Sequence, residues 1–146
     1  MKSASKVTRI KLNINLSKDL IMVGLVSSEP DYKLSLSLNK KFRISLKNIS
    51  PIKITDSTGS ELSFSRFSNA GSSPDIIYTL ISNRTGKQFL IRNLKNVDYI
   101  LQVQDSENKN VINSLTSELR EIDSLSALFN IDMTTFKDKN LHYLTL

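Results

Sequence analysis

The run LIMVGLV, residues 20–26, constrains this chain more than any other stretch. Seven residues without a polar side chain are far too few to cross a bilayer as a helix, which takes about 20. They suit one strand, and a strand apolar on both faces belongs inside a sheet that is covered on both sides. Gly24 within the run points to a bulge or to another segment approaching the backbone closely.

The flanking patterns supply the rest of such a sheet. Ile10, Leu12, Ile14 and Leu16 alternate with Lys11, Asn13 and Asn15, the period of a half-buried strand. The next segment, SSEPDYKLSLSLNKKF, carries two conflicting periods. Tyr32, Leu34, Leu36 and Leu38 alternate as in a strand, whereas Leu34, Leu38 and Phe42 are spaced four apart, as on one helix face. Ser28-Glu29-Pro30-Asp31 has the residue order of a helix start, with Ser28 as N-cap, and decides for a helix over 28–43.

Residues 52–91 read as an antiparallel meander. Ile52 and Ile54 lead into the turn DSTGS, and Leu62, Phe64 and Phe67 follow it. NAGSSPD, residues 69–75, reads as the weakest-ordered linker. Residues 76–82 and 88–91 are then joined by NRTGK, a hairpin turn with Gly86 where positive φ is needed.

Further on, Val97, Tyr99, Leu101 and Val103 alternate with Asp98, Gln102 and Gln104 as a strand. Val111, Ile112, Leu115, Leu119 and Ile122 form one helix stripe, with Lys109, Ser117, Glu118 and Arg120 facing out. Leu125, Ala127, Phe129 and Ile131 alternate again as a strand. Asp132 is placed to cap a short turn burying Met133 and Phe136, and LHYLTL reads as a closing strand. Helices do not follow every strand, so a doubly wound parallel sheet is not expected. The expected class is α+β: a single mainly antiparallel sheet with two main helices packed on one face.

A chain of 146 residues is one domain long, so residues 1–146 are expected to form a single domain, with 1–6 a flexible N-terminus. Cysteine is absent, which excludes disulfides, a thiol nucleophile and thiolate metal sites. With no run of signal-peptide length near the N-terminus, the expected location is cytoplasmic, away from any membrane. The net charge of +6 is uneven: residues 1–73 hold 12 Lys/Arg against 5 Asp/Glu, and residues 74–146 hold 8 against 9. A basic half suits phosphate contacts. Its one tight cluster, Lys40, Lys41 and Arg43, is also what the C-terminal end of a helix dipole favours.

Residues 91–99, IRNLKNVDY, resemble the signature of the IPExxxVDY family, small proteins of Bacteroidota. Ile91, Val97, Asp98 and Tyr99 match; Arg92 and Asn93 stand where the family has proline and glutamate. DYKLSLSLNKKF, FSRF and SALFNID are similar to further family segments, so the likeness covers most of residues 20–146. The resemblance supports the helix at 28–43 and implies no enzymatic role.

Candidate sites are few. Tyr99 is expected in the core with its hydroxyl on a partner, and Asp98 at a strand start on the other face; the competing reading makes Asp98 an acceptor for a protein partner's cation or amide. A lone carboxylate without a second acid or base is a poor catalyst. The single histidine, His142, belongs to no nucleophile or metal motif and is expected on an edge strand. Arg84 lies in a turn that lacks the Walker spacing. Arg66 sits between Phe64 and Phe67, an interleaving also seen on RNA-binding sheets. No catalytic, cofactor-binding or metal residue is assigned, and no cofactor is expected. The expected interaction surface is Lys40, Lys41, Arg43, Arg66, Arg84 and Asp98. The expected function is that of a non-catalytic binding or scaffold module acting on a protein partner; the alternative is an RNA-binding accessory protein using the basic N-terminal half.

Overall fold

The computed structural model describes residues 20–72, 74–105, 111–132 and 138–145. The alternating segment 10–16, Lys109, and the turn at Met133 and Phe136 lie outside the described residues. Eight strands are present among the described residues: β1 (Leu20–Val26), β2 (Lys47–Thr55), β3 (Glu61–Ser68), β4 (Ile76–Ser82), β5 (Arg84–Thr85), β6 (Gln88–Phe89), β7 (Tyr99–Asp105) and β8 (Ala127–Asn130). Two helices accompany them, α1 (Asp31–Phe42) and α2 (Val111–Arg120). Six strands form one antiparallel sheet in the order β2-β3-β4-β7-β1-β8, and β5 and β6 form a small separate ladder. The fold is α+β.

β1 is flanked on both sides, by β7 and β8. Its alternate residues explain the all-apolar run. Val23 and Leu25 enter a core that includes Leu34 and Leu38 of α1 and Leu115 and Leu119 of α2, so both helices cover one face. Met22 enters a second core on the opposite face, with Phe64, Ile81 and Ile100 of the sheet and Leu90, Ile91, Val97 and Leu144 from outside it. Gly24 lies on that second face, where a Cβ would stand 2.7 Å from Val97 Cγ2. The glycine is therefore a close approach, not a bulge.

β7 departs from the expected half-buried alternation. It begins at Tyr99 rather than Val97, and residues 99–103 are all buried because both faces are covered. Gln102, polar in the pattern, is buried, and its Nε2 donates to the carbonyl of Leu144.

The helix expected at 28–43 is confirmed as α1, but Ser28 is not its N-cap. Pro30 occupies that place without a side-chain cap, and the Asp31 carboxylate accepts from the Tyr32 N–H at 2.7 Å. Proline has no N–H to satisfy and its fixed φ suits helix entry. At the other end Arg43 takes the left-handed conformation, φ 56°, and the side chain of Asn39 accepts from the Leu46 N–H at 2.7 Å.

Four other expectations are corrected. Gly86, at φ +60°, does make a hairpin, but one joining β5 to β6; β4 pairs with β3 and β7 instead. Residues 141–145 form a 3-10 turn rather than a strand, because Leu141 and Leu144, three apart, both face the second core. The strand at 125–131 shrinks to β8, whose Leu128 packs on the helix-side core while Phe129 is 45% exposed. The linker at 69–75 begins with a clasp: buried Asn69 accepts from the Tyr78 N–H at 2.8 Å and donates to the Ile76 carbonyl at 3.2 Å.

The DSTGS turn forms as expected. Asp56 Oδ1 accepts from the N–H groups of Thr58 and Ser60, at 2.9 and 3.0 Å, and Gly59 takes φ +85°. β2 starts earlier than its apolar residues suggest, at Lys47, and its register with β3 shifts between Ile49 and Ile52. Pro51 lies inside that irregularity, as it must on an edge strand.

Candidate binding site

Between β4 and β7 the chain leaves the sheet, and the returning loop carries most of the IRNLKNVDY stretch. One fully buried amide holds that loop. Asn83 Oδ1 accepts from the Ile91 N–H at 2.9 Å, and Nδ2 donates to the carbonyls of Leu94 and Val97, both at 2.9 Å. Its main chain also binds Asp98 O, at 2.9 Å, and the Leu90 N–H, at 2.7 Å. The 3-10 turn at Arg92–Leu94 is then strapped by the C-terminal segment. Asp138 Oδ2 accepts from the Arg92 N–H at 2.9 Å, and Asn140 Nδ2 donates to the Leu90 carbonyl at 2.7 Å.

Asp98 and Tyr99 close the loop. The Asp98 carboxylate is only 15% exposed and already has two partners: Oδ2 accepts from the Ser27 N–H at 3.0 Å, and Oδ1 meets Arg84 Nη2 at 2.7 Å. The cation and amide that the competing reading sought in an outside partner thus come from its own chain. Tyr99 is buried and donates its hydroxyl to the Glu29 carbonyl at 2.6 Å. Burial pushes the Tyr99 phenol up to about 12, helped by the carboxylates of Asp31 and Asp98 and opposed by Arg84. At neutral pH this hydroxyl is a fixed donor.

The six expected surface residues are not gathered on one site. Lys40 and Lys41 occupy the last turn of α1 with Arg43 at its C-cap, and Lys41 pairs with Glu121. Arg66 donates from Nε to the Ser50 carbonyl at 2.7 Å, inside the β2–β3 irregularity. The aromatics beside it are not a stacking platform: Phe64 is fully buried in the second core and Phe67 packs against the first. Arg84 and Asp98 bind each other. His142 lies in the 3-10 turn, with Nδ1 3.0 Å from the Lys139 carbonyl and its ring 4.1 Å from that of Tyr143.

What the structure adds is a groove of about 490 Å³ between the 92–97 loop and residues 129–131. Phe129, expected from its alternation to face the core, forms one wall. Among the described residues, no group of three His, Cys, Asp or Glu is placed to hold a metal ion, and no helix is long and apolar enough to cross a membrane. No family model matches the chain, and no curated protein matches it.

Proposed function

We propose that this protein is a non-catalytic binding module that works by protein–protein contact. The observation that carries the reading is on α1, whose inner face buries Leu34 and Leu38 while Tyr32 and Leu36 stand 55% and 62% exposed on its outside. Residues four apart are neighbours on a helix surface, so these two side chains make one apolar spot. A partner that covers them gains their burial without any rearrangement of the fold. A cytoplasmic setting belongs to the same proposal.

Membership of the IPExxxVDY family is proposed alongside. What supports it is the division of labour within the motif. The matching residues Ile91, Val97, Asp98 and Tyr99 are the ones that fold the loop, and the departing Arg92 and Asn93 are exposed.

Affinity capture of the tagged protein from its own cells, with and without nuclease, tests the function. The expected result is a protein partner that survives nuclease and is lost from Leu36→Glu, with the melting temperature unchanged. A captured set identical for wild type and Leu36→Glu would overturn the reading, and a set removed by nuclease would replace it with the RNA-binding alternative.

A further inference from the structure

The groove beside β8 carries three kinds of chemistry. The first is a flat apolar surface, the half-exposed ring of Phe129, standing next to the core residues Val97 and Ile131. The second is positive charge: Arg92 and Lys95 line the groove, and among the described residues no carboxylate does. The third is the side-chain amides of Asn96 and Asn130, both exposed on the lining.

From this combination we infer that the groove binds a nucleotide unit, a planar base joined to phosphate. The base stacks on Phe129, as bases do on exposed aromatic rings. The phosphate meets Arg92 and Lys95, and the amides can both donate to and accept from base edges. A volume of about 490 Å³ suits a ligand of this size. The loop backbone under the site is also tied down before any ligand arrives. Asn83 holds the carbonyls of Leu94 and Val97, which bracket Lys95 and Asn96, and Asp138 holds the Arg92 N–H. Binding is left to order side chains rather than backbone.

An acidic peptide would meet the same two cations. An extended peptide can also pair along β8, the edge strand of the sheet beside the groove. The exposed ring of Phe129 and the amides of Asn96 and Asn130, however, match the face and the edges of a base and answer no charge on an acidic peptide. The observations therefore favour the nucleotide. The inference does not depend on the outer face of α1.

A nucleotide unit can come from a free mononucleotide or from single-stranded RNA, and the test separates them. Short labelled oligouridylate and oligoadenylate are titrated by fluorescence anisotropy at several salt concentrations, and AMP and UMP by NMR. Wild type is expected to bind, and Phe129→Ala to weaken binding roughly tenfold or more, while Phe129→Tyr retains it. The double variant Arg92→Gln, Lys95→Gln should lower the salt slope by about 0.7, the value for one single-strand phosphate that is no longer neutralised. Lys40→Gln with Lys41→Gln should bind as wild type. Oligonucleotides binding more tightly than AMP or UMP assign the site to RNA; equal affinity assigns it to the free nucleotide. Arg92, Lys95 and Phe129 are exposed, so unchanged melting temperatures are expected for the groove variants. Absence of binding, binding indifferent to Phe129→Ala and the double variant, or binding of an acidic peptide in place of nucleotides would overturn the inference.

Discussion

Asn83 decides more of this structure than any charged residue in the chain. A buried amide with both donors and its acceptor satisfied ties together three points of a loop that has no ladder of its own. Asn83→Ala removes three hydrogen bonds and strands the Ile91 N–H and the Val97 carbonyl, while the Leu94 carbonyl keeps the Val97 N–H at 3.1 Å; each stranded group costs about 1–3 kcal/mol. The expected loss is about 2 kcal/mol or more, seen as a lower urea midpoint at an unchanged slope. Tyr99 yields a prediction with a sign. Its folded phenol keeps the proton up to about 12, above the ordinary value near 10. Its contribution to stability is therefore whole below pH 10 and is lost as pH rises from about 10 to about 12. Tyr99→Phe should cost about 1 kcal/mol at neutral pH for the missing hydrogen bond. That difference should shrink in urea unfolding at higher pH, and a gap that stayed constant would contradict the assignment. Of these two residues only Tyr99 is legible in the sequence, from its place in an alternating apolar run. Asn83 reads locally as a turn residue, and its partners lie 8, 11 and 14 positions away.

Elements are unevenly legible in the sequence, and α1 shows why. Its residues fit a strand and a helix about equally, and burial of Leu34 and Leu38 on one side settles the matter as the capping signal suggests. The cap itself falls two positions beyond Ser28, because Pro30 starts a helix without a side-chain cap. β1 and β7 stand out in the pattern, but the covering of β7 on both faces is hidden by Gln102, whose amide is satisfied inside the fold. The packing of the loop on β1 gives the test at this scale. Gly24→Ala would set a Cβ 2.7 and 3.2 Å from the two Val97 methyls, and those branched carbons have little freedom to withdraw. The expected cost is about 1–3 kcal/mol. In the Val97→Ala background the same substitution should cost less, giving a favourable coupling of at least about 0.5 kcal/mol in a double-mutant cycle. Additive effects would show that the loop does not rest on Gly24.

At the scale of the molecule, the described residues form a sheet with helices on one face and loops on the other, and β1 and β7 belong to both cores. Shared strands imply shared unfolding. Leu34→Ala on the helix face should cost about 2–5 kcal/mol and Phe64→Ala on the loop face about 3–5 kcal/mol. Both should move one common transition, followed by far-ultraviolet circular dichroism and by tyrosine fluorescence, since the chain has no tryptophan. Two separated transitions in either variant would mean that the faces fold independently. By itself the order of residues determined the α+β class, the interior position of β1, the helix α2 and the DSTGS turn. These follow from periods of two and 3.6 and from backbone conformations, which are properties of neighbouring residues. Only the tertiary structure decided which strands lie side by side, that Phe129 is left uncovered beside a basic groove, and that Asp98 is answered by Arg84 and by Ser27, 71 positions away. A period names the face on which a side chain stands; what arrives to cover that face depends on how distant segments meet.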